Sequence, residues 1–407
     1  MIEMEKTWVN ISDVLFFQEG PGVRNTQYTT SGVKLLNVAN LVDGKVDLST
    51  SDRYISEDEA YGKYSHFLCD VGDFIVASSG IKVEYIDKKM GFIEESMLPL
   101  CMNTSTIRFK VLDEKQLRIR YFMYYLKSQH FKGQLAREIT GSAQLNYGPS
   151  HLKKMVMPLV DISIQDEIVQ QMDKVQKIID MRQMELSHLD DLIKARFVEM
   201  FGEPQINPFH WDVVNISEVV GGKVSNGFFA KRDDYCDDGN VSILGVANIV
   251  NRMYSKVNEL PKTNANNKDI EKFEVKYGDM LFCRSSLVAE GIGKASIVPE
   301  DVHENVLFEC HVIRLPLNLN KCVPEFMQTL STMDFFRNQV VAQSKTATMT
   351  TIGQDGILKT DIILPPIEKQ KEFYDFVKQV DKSKVVVQKS LDETQQLFDS
   401  LMQKYFG

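Results

Sequence analysis

Side chains able to do chemistry are plentiful in this 407-residue sequence, but no catalytic arrangement of them is legible. The histidines (His66, His130, His151, His188, His210, His303 and His311) are scattered without ligand spacing, so each reads as a packed or surface residue. Gly291-Ile292-Gly293-Lys294-Ala295-Ser296 lacks a third glycine and leads into no helical pattern, which argues against a dinucleotide turn. No Walker-type phosphate loop, HExxH pair or nucleophile elbow is present. The cysteines (Cys69, Cys101, Cys236, Cys283, Cys310 and Cys322) form no CxxC pair and sit mostly in apolar runs. They read as reduced, structural thiols of a cytoplasmic protein, not as a zinc site. Adjacent carboxylates such as Glu94-Glu95 read as a solvated face. The expectation is no catalytic residue, no metal and no cofactor.

Binding is the better case. Three loops in the first half carry side chains suited to base edges and phosphates: Arg24, Asn25, Gln27 and Tyr28; Ser78, Ser79 and Lys82; and Ser142, Gln144 and Asn146. Three in the second half correspond: Lys231 and Arg232; Arg284, Ser285 and Ser286; and Lys345, Thr346 and Thr348. Arg, Asn and Gln can make paired hydrogen bonds to base edges, while Ser, Thr and Lys commonly take phosphate oxygens. A single loop of this kind is usually just a polar turn. Three at equivalent places in both halves point to a shared surface.

What places those loops is an internal repeat. Asn10-Ile11-Ser12-Asp13-Val14 recurs 205 residues later as Asn215-Ile216-Ser217-Glu218-Val219. Leu36-Asn37-Val38-Ala39-Asn40-Leu41-Val42 recurs as Leu244-Gly245-Val246-Ala247-Asn248-Ile249-Val250. Gly72-Asp73 matches Gly278-Asp279, Ile107-Arg108-Phe109 matches Ile313-Arg314-Leu315, and Met157-Pro158-Leu159 matches Leu364-Pro365-Pro366. The order never breaks. Each unit begins with short apolar strands (Val33–Leu41, Asp73–Ala77 and Thr104–Val111; Val241–Ile249, Met280–Cys283 and Cys310–Leu315). A short helix follows, expected over Leu117–Ser128 and Pro324–Thr332, then a Thr/Ser/Gln loop.

Each unit closes on a long heptad stretch, Ser163–Phe201 and Glu368–Phe406, ending in Phe-Gly both times. Ile168, Met172, Val175, Ile179, Leu186, Leu189 and Ile193 alternate in steps of three and four, with Arg182 in one polar slot. Val377, Val380, Val387, Leu391, Phe398 and Leu401 repeat the pattern, with Lys384 and Thr394 interrupting. That narrow seam is a coiled coil's, and the two copies are expected to pair antiparallel with each other. At about 38 residues each helix would run roughly 57 Å, a ruler between the two globular units in a pseudo-two-fold molecule. Ser163 and Asp166 read as a capping box opening the first.

The formal net charge of −9 argues mildly against a polyanionic partner, but local patches set the binding field. No run of about 18 apolar residues occurs, so no membrane span or membrane partner is expected.

Taken together, the chain resembles the specificity subunits of Type I restriction–modification systems. The resemblance rests on Leu36-Asn37-Val38-Ala39-Asn40-Leu41, Gly141-Ser142-Ala143-Gln144, the proline-led helices opening at Pro158 and Pro365-Pro366-Ile367-Glu368-Lys369-Gln370, and the two-unit layout. It implies an α+β fold with two tandem target recognition domains, residues 1–160 and 203–363, alternating with spacer helices at 161–202 and 364–407. It also implies a non-catalytic chain that reads a bipartite double-stranded DNA sequence and docks two DNA-adenine methyltransferase subunits, with restriction/translocase subunits added. Two departures stand out: Lys345-Thr346-Ala347-Thr348-Met349 replaces the Gly-Ser-Ala-Gln pattern, and the first helix opens with Pro158-Leu159-Val160-Asp161, without the double proline and Glu-x-Gln. Against this reading stand a coiled-coil scaffold with two protein-binding domains and an autonomous nuclease, the latter lacking any metal-carboxylate cluster.

Overall fold

A computed structural model describes residues 5–138 and 146–407. The chain forms two compact units, Met1–Arg182 with Ser390–Gly407, and Gln183–Lys389. Each therefore contains one globular repeat and a half of both long helices.

In the first unit, Thr7–Asn10 pairs antiparallel with Val156–Leu159, tying the start of the repeat to the segment that leads into the long helix. The central sheet is antiparallel, in the order Leu15–Glu19, Thr106–Val111, Phe74–Ala77, Met90–Phe92. A second sheet sets Val33–Leu36 between Tyr54–Ile55 and a parallel partner, Leu100–Met102. All four residues of Phe74–Ala77 are buried, which is why this stretch reads as an unbroken apolar run and not an alternating one. The second unit repeats the plan. Asp212–Asn215 pairs with Asp361–Leu364, and the central sheet runs Ser225–Asn226, Val312–Pro316, Asp279–Cys283, Ala295–Ile297. Val241–Leu244 again has a parallel neighbour, Val306–Phe308.

The repeated motifs turn out to be structural. Asn40 Oδ1 accepts the Asn37 N–H at 3.0 Å, and Asn248 Oδ1 accepts the Gly245 N–H at 3.0 Å, each closing the turn after its strand. The predicted single strands Val33–Leu41 and Val241–Ile249 therefore end at Leu36 and Leu244, where these short 3₁₀ turns begin. Gly72 and Gly278 take φ of 84° and 83°, a left-handed bend suited to glycine. The aspartate after each bend then accepts a backbone N–H, Asp73 from Asp70 and Asp279 from Lys276, both at 2.9 Å. Asp73 faces the buried Arg108 at 3.1 Å, and Asp279 faces Arg314 at 4.0 Å.

The short helices span Ile119–Lys127 and Pro324–Thr332, and the long ones Ile162–Phe201 and Ile367–Phe406. The first long helix starts one residue earlier than expected, and Ser163 lies inside it. Asp161 supplies the opening carbonyl to Ile164 and Gln165, while Asp166 pairs with Arg118 at 2.7 Å, so the proposed capping box is not formed. A different residue anchors each start. Gln165 accepts the Arg118 N–H at 2.9 Å and donates to the carbonyls of Gln116 and Val160. Gln370, 205 residues on, accepts the Val323 N–H at 2.9 Å and donates to Lys321 and Pro365. Both glutamines are fully buried.

Within each unit the helix halves pair as the heptads require, with opposite directions. In the first, Ile168, Met172, Val175 and Ile179 share a core with Phe398 and Phe406, and Tyr405 donates to Gln171 Oε1 at 2.6 Å. In the second, Ile193 and Phe197 pack with Phe373, Val377 and Val380, and Lys384, a polar slot in the seam, forms an ion pair with Asp190. The repeated Phe-Gly ends have a purpose. Phe201 meets Phe326 and Phe373 edge-on at 5.0 and 5.6 Å, and Phe406 meets Tyr121 at 5.2 Å. Each long helix thus ends as an aromatic plug under the short helix of the repeat it did not follow.

Candidate nucleic-acid interface

The register of the central sheet decides which loops share an end. In the first unit Glu19 pairs with Ile107, Ala77 with Thr106, and Val76 with Met90, so the segments after Glu19, after Ala77 and before Thr106 emerge together. Arg24 and Asn25 are exposed there. Gln27 is not free to read a base: its amide donates to Glu59 at 2.7 Å and Tyr64 at 3.0 Å, and its carbonyl accepts the Arg24 N–H. It shapes the turn that presents its neighbours. Tyr28 is half-buried, and its hydroxyl accepts from Asn103 Nδ2 at 3.4 Å. Ser78 is buried with its hydroxyl unpartnered among the described residues, while Ser79 donates to Ser105 at 2.6 Å. Lys82 is exposed, and Asn146 bridges back to Ser79. Ser142 and Gln144 lie outside the described residues.

In the second unit two of the loops pair directly. Asn226 pairs with Ile313 and Cys283 with Val312, so the segments after both strands leave at one end. Lys231 and Arg232 are exposed on the first, where Asp234 accepts the Lys231 N–H at 2.7 Å. The Arg284 loop and the Lys345 loop, far apart in sequence, join in one small antiparallel sheet: Ser285 opposite Thr351, Ser286 opposite Thr350, and Lys345 and Thr346 across from the same two threonines. Arg284 is partly held by the Cys310 carbonyl at 3.4 Å. Thr348 is exposed at the tip.

Several residues at these ends were missed from sequence. The Arg53 guanidinium lies 5.3 Å from the Tyr28 ring centre, a cation stacked on an aromatic face. Tyr85, Lys88 and Lys89 join the expected Lys82 in lining a cleft of about 650 Å³ beside the Ser78 loop. The adjacent lysines after that loop were the available signal. Leu287 is 83% exposed at the tip of the Arg284 loop, and Phe229 is exposed next to Lys231. Exposed apolar tips amid cations suit thymine methyls or an opened base step. His311 Nδ1 lies 3.2 Å from Ser285 Oγ, but among the described residues nothing orients its other nitrogen, so the pair is a polar contact and not a nucleophile with its base. Burial, then the charge of Glu309, pushes the neighbouring Cys310 thiol up, which disfavours a reactive thiolate. Among the described residues no cluster of three His, Cys, Asp or Glu is disposed to hold a metal ion.

The fold and these loop ends define a tandem-repeat protein: two α+β modules, each presenting cationic and amide-bearing loops from one end of its sheet and each followed in the chain by a long coiled-coil helix. Within that class the chain belongs to the family described as Type I restriction modification DNA specificity domain, which matches it twice, at residues 18–189 and 208–394. It is 21% identical over 316 residues to the Type I restriction enzyme EcoKI specificity subunit of Escherichia coli (strain K12), covering 72% of this chain and 66% of that one. It is 23% identical over 194 residues to the MjaVIII specificity subunit of Methanocaldococcus jannaschii, covering 46% and 44%. The chain thus spans just under two thirds of one relative and less than half of the other. A crystal structure of a Type I restriction–modification S subunit from M. genitalium shares the fold over 100% of this chain and 97% of that one, with a TM-score of 0.50 and 14% identity.

Proposed function

We propose that this chain reads double-stranded DNA as two half-sites, one for each globular repeat (residues 1–160 and 203–363), and performs no catalysis itself. The observation that carries the reading is the equivalence of the loop ends in two copies of a domain whose family is described by DNA specificity. Arg24, Asn25, Lys82 and Asn146 act on one half-site, with Ser142 and Gln144; Lys231, Arg232, Arg284, Lys345 and Thr348 act on the other. The spacer helices at 161–202 and 364–407 fix the half-site separation. Their polar outer faces dock two methyltransferase subunits, and restriction/translocase subunits join outside them, in the cytoplasm. Among the described residues no helix is long and apolar enough to cross a membrane.

Binding to duplex DNA by the purified chain, measured across a salt series, tests the reading. Phosphate contacts release counterions, so affinity should fall steeply with salt. Binding that is absent or indifferent to salt would favour a scaffold of protein-binding domains instead. Docking is tested separately: exchanging the loops while keeping the helices should leave assembly with methyltransferase subunits intact.

A further inference from the structure

The repeat permits a position-by-position comparison of the two units, and at one junction of short helix and long helix they differ in charge. In the first, Arg120 on the short helix donates to Asp173 on the long helix at 2.7 Å, Tyr124 donates to the same carboxylate at 2.6 Å, and the guanidinium lies over the Phe92 ring. The separation of 205 residues is fixed on both sides of this pair, because both short helices, both long helices and both anchoring glutamines obey it. The residues 205 positions on are Glu325 and Lys378. The signs are exchanged, yet no ion pair forms. Lys378 places its ammonium over the Tyr374 ring, 5.5 Å from the centre. Glu325 is 1% exposed; its Oε1 accepts from the Tyr254 hydroxyl at 3.0 Å, and its Oε2 has no partner among the described residues.

In the first unit Arg120 is half-exposed and held by Asp173; in the second, a cavity of about 430 Å³ opens beside Glu325. Glu325, Asp381, Glu300, Tyr254, Tyr277 and Tyr374 are among the residues that line it. Four carboxylates (Glu300, Asp301, Glu325 and Asp381) and three lysines line it; Lys256 is taken by Glu259 at 2.9 Å, Lys378 is held over its tyrosine, and Lys382 is the third. Burial pushes the carboxyls of Glu325 and Asp381 up, so each would gain from a cation brought to it.

We propose that this cavity is a binding site for an alkylguanidinium group, a cation of the kind that the first repeat supplies from its own chain as Arg120. A guanidinium offers a planar fork of N–H donors to carboxylates, is weakly hydrated, and stacks on tyrosine faces, whereas a compact ammonium keeps its water more tightly. The group could belong to a small molecule or to an arginine of a partner protein, and the two are separable. Agmatine and an acetylated, amidated tripeptide with central arginine are each titrated calorimetrically into the full-length chain. The expected result is one site per chain, with affinity falling at least about tenfold in Glu325→Gln as a charge-assisted bond is lost. Binding should release protons, seen as a dependence of the heat on the buffer's ionisation enthalpy. Binding of agmatine assigns the site to small molecules; binding of the tripeptide alone assigns it to a partner's arginine. The double variant Glu325→Arg with Lys378→Asp installs the first unit's pair and should fold yet bind neither. No binding by the wild type, or equal binding by wild type and Glu325→Gln, overturns the proposal.

Discussion

Arg108 and Glu325 show what repetition in a sequence reveals and what it hides. That Ile107-Arg108-Phe109 and Gly72-Asp73 recur was legible; that Arg108 and Asp73 meet, with side chains 7% and 2% exposed, was not, because pairing across strands is set by register. Arg108 also donates to the carbonyls of Leu68 and His66, so it fastens an inner strand of the sheet to the segment that precedes Phe74–Ala77. Asp73→Ala would strand that guanidinium in a dry site. We expect a loss of about 3–5 kcal/mol, measured by urea unfolding, against little change for the exposed Asp13→Ala. Glu325 behaves in the opposite sense. Burial first, then the like charges of Glu300 and Asp381, raise its carboxyl above the ordinary 4.5. The folded state therefore favours the protonated form; that contribution is complete below pH 4.5 and is lost as pH rises through the folded value. Glu325→Gln should raise the melting temperature near neutral pH, with the gain vanishing in acid. An unchanged difference across that range would mean the carboxyl does not titrate with folding.

At the scale of elements, periodicity told most of the truth. Heptad spacing located both long helices to within a residue, since a seam must recur on one face to be buried at all. The helix start was misread because Ser163 and Asp166 match a capping pattern while a backbone carbonyl and a buried glutamine do the anchoring. The first helix lacks the double proline yet keeps Gln165 in the place of Gln370, so the departure seen in sequence is superficial. Gln165→Ala or Gln370→Ala should each leave a buried backbone N–H unpaired, at a cost of about 1–3 kcal/mol, and the two costs should be similar. Phe201→Ala and Phe406→Ala each remove an aromatic plug and should cost about 3–5 kcal/mol by the same measurement. If Phe406→Ala were silent, the end of the second helix would not be closing the first unit's core. Placing Glu at Ile179, buried in the seam, should be worse still, because the charge has no partner there.

For the whole molecule, sequence made the tandem layout plain and left the reading surface half drawn. Loop composition picked out segments that the register gathers at one end of each sheet, but it could not separate Gln27, spent on its own turn, from exposed Arg24, nor foresee that the Arg284 and Lys345 loops share a sheet. Those distinctions come from long-range pairing, which no local pattern encodes. They sharpen the prediction that matters most for function. If each repeat reads its own half-site, a substitution in one repeat must change preference in that half-site alone. Arg24→Ala should cost about 1–3 kcal/mol if the guanidinium meets a base edge, and should relax one half-site only. Gln27→Ala should instead lower the stability of the Arg24 turn and weaken reading of that half-site as a whole. A pure phosphate contact at Arg24 would weaken all sequences alike and reduce the salt slope. The measurement is methylation by the assembled complex of two libraries, each with one half-site randomised. Loss of preference in both libraries after a change confined to one repeat would refute the assignment of one repeat to one half-site.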